Sequence, residues 1–362
     1  MSVFADAVPS FTSNTPLAVA GLLNASKEQD YALHITLEKD EHKIDIAIVC
    51  DGHGEVSIAK QTCIILLDNI KLYATEGTLL ADPSEARAAK FQEFVDMAHM
   101  NATQLIKNSG SMSGGTTMAC AIKITYPHVM EKEPLLLTFN LGDTRIAVIK
   151  ESGDCVYLDV MHSPDEVSEA LRIMLDDSIP PHMKGRCVYD QPKLKRRLGS
   201  MGTAIYQRDG TKTPLKKRQY MNPDGTLTEP MDYLEGMHLS CVDGNVAVYF
   251  AYSLDGGFDT VCLGLTRALG DLVPHDHGLC HNILDTYKET SLGKDIRLIA
   301  LFTDGCGDVN KSSDVGRTLL GYGGDLTNMA SQFMIDSRQK WFDLMGADAS
   351  QVDDISCVLM GV

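Results

Sequence analysis

Strand-like apolar runs that stop at an aspartate are what most constrain this chain. The stretch Asp45-Ile46-Ala47-Ile48-Val49-Cys50 breaks off abruptly at Asp51-Gly52-His53-Gly54. A continuous apolar run suits a buried strand, and the loop at its end presents the polar groups. Glycine on each side of His53 lets the backbone turn sharply and pass close to whatever Asp51 binds. Read alone, the same residues also make a tight turn after a core strand, because Asp-Gly is a common turn dipeptide.

The pattern recurs along the chain. Asp304-Gly305 follows Leu298–Thr303, Gly142-Asp143 follows Leu135–Leu141, Asp353-Asp354 directly precedes Ile355–Met360, and Asp30 opens the run Tyr31–Leu37. If these strands lie side by side, their ends converge and the carboxylates form one acidic cup. Such a cup is electrostatically unfavourable unless cations occupy it. Hard oxygen donors, with no His or Cys cluster, favour Mg²⁺ or Mn²⁺ over zinc or copper.

Further β-runs cover Thr117–Ile124, Arg145–Lys150, Cys155–Val160, Val246–Tyr252 and Thr260–Leu265. Short turns such as Gly142-Asp143 and Ser152-Gly153 favour antiparallel meanders. Val56, Ala59, Cys63, Leu66, Leu67 and Ile70 fall at helical spacing. Asp82-Pro83-Ser84-Glu85 reads as a helix start with Asp82 as cap and Pro83 at the first position. A late helix over Leu326–Met345 precedes the last strand. The fold class is therefore α+β, with two sheets in the core and helices covering the outside. Residues 1–24 read as an N-terminal arm or edge strand. Residues 25–362 read as one domain with an insertion at about 178–245, rich in Pro, Gly, Lys and Arg. A segment of that kind is either a solvated surface insertion or a patch that docks phosphoproteins.

Charge narrows the function classes. With 32 Lys+Arg against 49 Asp+Glu, the formal charge of -17 opposes non-specific binding to nucleic acid or to an anionic membrane surface. Ten cysteines without any C-x-x-C spacing suit small buried hydrophobes in a reducing compartment better than a disulfide frame or a zinc site. No basic residue precedes Lys27, so a secretory signal would lack its charged start. No apolar run approaches the roughly 18 residues that a membrane span requires. The expectation is a cytoplasmic monomer, with the nucleus also open.

Seven segments then carry a resemblance. They are Glu28-Gln29-Asp30, Val49-Cys50-Asp51-Gly52-His53-Gly54, Ser113-Gly114-Gly115-Thr116-Thr117, Asn140-Leu141-Gly142-Asp143-Thr144-Arg145, Leu265-Thr266-Arg267-Ala268-Leu269-Gly270-Asp271, Phe302-Thr303-Asp304-Gly305 and Asp353-Asp354-Ile355-Ser356. In this order, from about Lys27 to Met360, the chain resembles the metal-dependent serine/threonine protein phosphatases of type 2C. The resemblance implies a four-layer sandwich, two stacked antiparallel sheets flanked by helix pairs, with a two-metal site at one edge. It implies that Asp51 bridges two Mg²⁺ or Mn²⁺ ions, that Gly52 lends its carbonyl, and that Asp304 and Asp353 complete the metal ligands. Gln29 and Asp30 match the pair that orders metal-bound waters, Asp143 matches a third and weaker metal position, and His53 matches the general acid. Phosphoprotein substrates and direct attack by a metal-activated water follow from the same resemblance.

The chain also departs from the family. Gln29 stands where the family often has Glu. The family's phosphate-binding arginine has no counterpart between Gly21 and Asp30, where Lys27 is the one cation, a point charge without a bidentate fork. Cys50 replaces a usual aromatic, and the stretch before Leu265 is longer than in the family. Two further readings share these residues: a catalytically silent relative that binds or regulates a partner, and a two-metal hydrolase of small phosphoesters.

Overall fold

The computed structural model describes residues 10–15, 18–23, 28–54, 58–111, 114–129, 132–163, 168–169, 172–173, 176–179, 186–191, 196–197, 248–253, 260–345 and 352–362. Two compact units emerge: Met1–Met161 with Arg267–Asp276 and Cys280–Val362, and His162–Thr266 with His277–Leu279.

In chain order the first unit begins with β1 (Ser10–Thr15), β2 (Ala18–Leu23), β3 (Tyr31–Lys39), β4 (His42–His53), α1 (Ala59–Thr75), α2 (Thr78–Ala81) and α3 (Ser84–Ser109). It continues through β5 (Gly115–Thr125), β6 (Leu135–Leu141), β7 (Arg145–Lys150) and β8 (Cys155–Tyr157). The second unit holds β9 (Arg186–Gln191), β10 (Arg196–Arg197), β11 (Val248–Ser253) and β12 (Thr260–Leu263), paired antiparallel in the order β10-β9-β11-β12. The first unit resumes with β13 (Leu269–Gly270), α4 (Leu272–Asp276), β14 (Lys288–Ser291) and β15 (Ile296–Phe302). It closes with α5 (Asp304–Gly307), α6 (Val315–Tyr322), α7 (Leu326–Met345) and β16 (Ile355–Gly361).

Two antiparallel sheets organise the first unit. One runs β14-β6-β5-β4-β3, with β13 paired to β5; the other runs β1-β2-β16-β15-β7-β8. Alternation along β4 explains why its apolar run is continuous. Successive strand residues point to opposite faces, and here both faces are buried. Ile46, Ile48 and Cys50 pack with Leu66, Ile70, Phe91 and Val95 of α1 and α3. Ala47 and Val49, with Ala32, Ala119 and Ala121, face Ile146, Val148, Leu301 and Met360 of the other sheet. Small residues on one sheet against large ones on the other let the two faces interdigitate. On the far side of the second sheet, Phe333 of α7 meets Phe302 edge-on, with ring centroids 5.9 Å apart. The fold is α+β, built on antiparallel sheets with helices against them.

Several local expectations shift. Residues 10–23 form two strands, and β2 pairs with β16. The Cys155–Val160 run is a strand only as far as Tyr157. Helix α3 starts at Ser84, and Pro83, not Asp82, precedes its first residue in extended conformation. The Asp82 carboxylate instead accepts the Tyr73 hydroxyl at 2.5 Å. Gly110, left-handed at φ 75°, ends the helix as glycine does at a C-terminal cap. Cys50, Cys63, Cys120, Cys306 and Cys357 are buried thiols outside any disulfide, and Cys155 is a half-buried one. No helix among the described residues is long and apolar enough to cross a membrane. Most of the insertion at about 178–245 lies outside the described residues.

Candidate active site

Strand register brings the acidic residues together. Asp51 on β4 lies opposite Thr117 of β5, Tyr31 lies opposite Cys50, and Asp30 therefore sits beside the end of β4. From the other sheet, β15 ends at Phe302, opposite Cys357, so Asp304 and the Asp353-Asp354 pair emerge at the same edge. Asp143 lies in the short turn that carries the chain from β6 in one sheet to β7 in the other.

Burial and the neighbouring acids act together on Asp30, Asp51 and Asp143. Burial pushes the Asp51 pKa well above its ordinary value, and the Asp304 and Asp30 charges, with a hydrogen bond to Asp304, push it further. Burial likewise raises Asp30, helped by Asp353, Asp354 and Asp304, while the Ser356 hydroxyl, donating to Asp30 Oδ2 at 2.9 Å, pulls it back. Asp143 is raised by burial, opposed by His53 and Arg145. The sequence reading missed Asp308, one turn after Asp304. It is raised by burial and by Asp304, Asp143 and Asp353. An i, i+4 step within one helical turn was the available signal for it.

The surroundings hold these groups in place. Gly52 is required because a Cβ there would lie 2.3 Å from the Gln29 carbonyl oxygen. Thr116 Oγ1 donates to the Asp51 carbonyl at 2.8 Å. Trp341 Nε1 of α7 donates to the Gly305 carbonyl at 2.7 Å, and the Ser356 N–H donates to Thr303 Oγ1 at 3.1 Å. The Gln29 N–H donates to Asp354 Oδ2 at 2.6 Å, and its side-chain amide donates to the Gly54 carbonyl. Gln29 therefore ties down the loop after His53, a role that its expected place beside metal-bound water did not suggest. Arg145 lies over the Tyr157 ring, 4.0 Å from its centroid, with Nε donating to Asp159 at 2.7 Å. Lys27 and Ser113 lie outside the described residues.

Whether this set suits a hard cation is decided by its own chemistry. The donors are carboxylate and carbonyl oxygens, and Asp51 Oδ2 is buried with no hydrogen-bond partner. An orphaned buried carboxylate oxygen among mutually repelling acids is what a divalent ion would satisfy. Among the described residues no three such side chains already close on a single ion position. The residues fit the ion in donor type and do not form a closed shell among the described residues.

Residues 19–186 match the family model of protein phosphatase 2C. Over that stretch the chain is similar to the protein phosphatase 2C family. Among solved structures, it is similar to a serine-threonine phosphatase 2C from Toxoplasma gondii, with 15% identity, TM-score 0.61 and 98% of each chain covered. A sex-determining protein of C. elegans is similar with 16% identity and TM-score 0.56; the match covers 96% of this chain but only 65% of that one. A serine/threonine phosphatase of S. agalactiae follows with 12% identity, TM-score 0.50, and 95% and 98% coverage. At these identities the likeness is one of fold. No curated protein matches the sequence.

Inside the matched stretch, His53 has a partner that the sequence alone did not assign. His53 Nε2 lies 2.8 Å from Asp271 Oδ2. Burial lowers the pKa of the imidazole, but Asp271, by charge and hydrogen bond, together with Asp143 and Asp304, lifts it above its ordinary value. Asp271 closes the Leu265–Asp271 segment, whose order was legible while its reach to His53 was not.

Proposed function

We propose that this chain is a divalent-metal-dependent protein serine/threonine phosphatase. The observation that carries the reading is the convergence of buried Asp30 with half-buried Asp51, Asp143 and Asp304, with the unpartnered Asp51 Oδ2, beside an imidazole held by a carboxylate.

Asp51, the Gly52 carbonyl, Asp304 and Asp353 would hold two Mg²⁺ or Mn²⁺ ions, with Asp143 and Asp308 toward a third position. Bound there, the ions supply Lewis-acid chemistry: they acidify a water and neutralise phosphoryl charge. Asp30, anchored by Ser356, orients water at the cup. His53, kept protonated by Asp271, gives the departing serine or threonine oxygen its proton. Phosphoproteins are the substrate class. Their phosphate grip falls to Lys27 on the sequence reading.

The test is hydrolysis of a phosphothreonine peptide and of a small aryl phosphate with and without Mn²⁺, using Asp51→Asn and Asp304→Asn as controls. Mn²⁺-dependent turnover lost in both variants is expected. Metal-independent turnover, or activity that survives both substitutions, would sink the reading. Tight Mn²⁺ binding without turnover would favour a phosphatase-like binding protein.

A further inference from the structure

His53 ends β4 opposite Gly115, in a space that only glycine leaves open. A Cβ on Gly115 would lie 2.2 Å from His53 Nε2 and 2.4 Å from Asp271 Oδ2. Asp271 meets His53 from an unusual backbone conformation. Its φ is +49°, left-handed for a residue with a side chain, directly after Gly270 at +86°. That conformation is disfavoured for an L-residue, although aspartate tolerates it better than most.

Several bonds keep it there. The Asp271 N–H donates to the Gly114 carbonyl at 2.8 Å, and the His275 N–H donates to the Asp271 carbonyl at 3.0 Å. The preceding Gly270 N–H donates to His99 Nδ1 of α3 at 3.3 Å. Strain that the surroundings over-determine, in a residue aimed at a functional side chain, points to a role in that function. A turn aspartate serving only its own loop would cap a nearby N–H. This one instead reaches a histidine 218 residues away.

We propose that Asp271 is the positioning residue for His53, holding the imidazole by Nε2 and leaving Nδ1 to face the departing oxygen. The proposal rests on the phosphatase reading and deepens it. With Nε2–H committed to Asp271, the ring can neither rotate nor switch tautomer, so the transferable proton sits on Nδ1. As water adds to phosphorus, the phosphorus–oxygen bond to the substrate breaks and its electron pair goes to the side-chain oxygen. That oxygen takes the proton from Nδ1. Inorganic phosphate and a free serine or threonine hydroxyl result, and the neutral imidazole, still bonded to Asp271, regains its proton from solvent.

The test compares leaving groups in the full chain with Mn²⁺. Asp271→Gly keeps a backbone that accepts positive φ. It should lower kcat on a phosphothreonine peptide by about 100-fold, while p-nitrophenyl phosphate, whose leaving group needs no proton, changes by less than about threefold. Asp271→Asn, whose amide oxygen still accepts from Nε2–H, should recover all but about tenfold of the peptide activity. Nitrogen-15 histidine spectra of the metal-free full chain, assigned with His53→Gln, should show a hydrogen-bonded Nε2–H in the wild type and that signal lost in Asp271→Gly. Equal losses on both substrates, or His53 signals unchanged in Asp271→Gly, overturn the proposal. If the wild type hydrolyses neither substrate, the phosphatase reading fails, and the nitrogen spectra still decide whether Asp271 fixes the ring.

Discussion

Asp45 and Asp51 lie on the same face of β4, and their surroundings differ in sign. Asp45 accepts the Thr36 hydroxyl at 2.6 Å and lies 3.2 Å from Lys123, 3.6 Å from His34 and 3.6 Å from Lys43. Burial alone would raise its pKa; the His34 and Thr36 hydrogen bonds and the two lysines overturn that and lower it. Asp51, half-buried beside Asp304, Asp30 and Asp353, is raised by desolvation and by each of these acids. Register makes the difference. Lys123 of β5 stands opposite Asp45, whereas Thr117 stands opposite Asp51. The balanced end is complete as folded, whereas on the phosphatase reading proposed above a cation from outside would complete the acidic end.

The same substitution at each end should therefore act in opposite directions. Asp51→Asn lowers phosphothreonine turnover on the order of 10³-fold, as expected for loss of one strong electrostatic stabiliser. In EDTA it raises stability by about 1 kcal/mol, because a strained acid is removed. Asp45→Asn costs about 3 kcal/mol, because Lys123 is left buried without its counter-charge. Urea midpoints of both variants in EDTA decide it, and two shifts of the same sign would break the comparison.

Metal sharpens the contrast. Mn²⁺ at about 100 times its Kd should stabilise the wild type by about 2.7 kcal/mol by mass action. Asp45→Asn keeps that increment, and Asp304→Asn loses it. A thermal-shift titration would read this directly. An increment of equal size in Asp304→Asn would remove that residue from the ion's ligands.

Acid probes the balanced end by itself. The folded pKa of Asp45 lies below its ordinary 3.8. The unfolded chain therefore takes up this proton first, and the stabilisation is present above about pH 3.8 and lost as pH falls below it. The urea midpoint of the wild type should drop more steeply below that pH than the midpoint of Asp45→Asn. Parallel profiles would mean that the lysines do not hold Asp45 as an anion.

What the sequence discloses here follows from what is local. Asp51, Asp304 and Asp353 each adjoin an apolar run, so their place at strand ends is legible without any fold. Helix α7 is legible from Leu326 to Met345 because its periodicity is long. Pairings across the fold are hidden. Nothing near Asp45 announces Lys123, since only register sets them opposite each other, and nothing near His53 announces Asp271. Gln29 shows the same limit. Its position beside Asp30 suggests water binding, while its amide is taken by the Gly54 carbonyl, which only the returning loop brings near.

The smallest test removes one hydroxyl from each end. Thr36→Val deletes the donor to an aspartate held as an anion, and hydrogen bonds to charged groups are worth about 1.5–3 kcal/mol. Ser356→Ala deletes the donor to Asp30, whose burial and acidic neighbours favour the neutral carboxyl. A hydrogen bond to a neutral acceptor is worth about 0.5–1.5 kcal/mol. In EDTA near neutral pH the Thr36→Val midpoint should therefore fall further than that of Ser356→Ala. Mn²⁺ should then narrow the gap, because an ion in the cup favours the ionised Asp30 and strengthens the bond that Ser356 donates. A gap that is reversed in EDTA, or that metal leaves unchanged, would show that the two ends of β4 do not differ in the charge their aspartates carry.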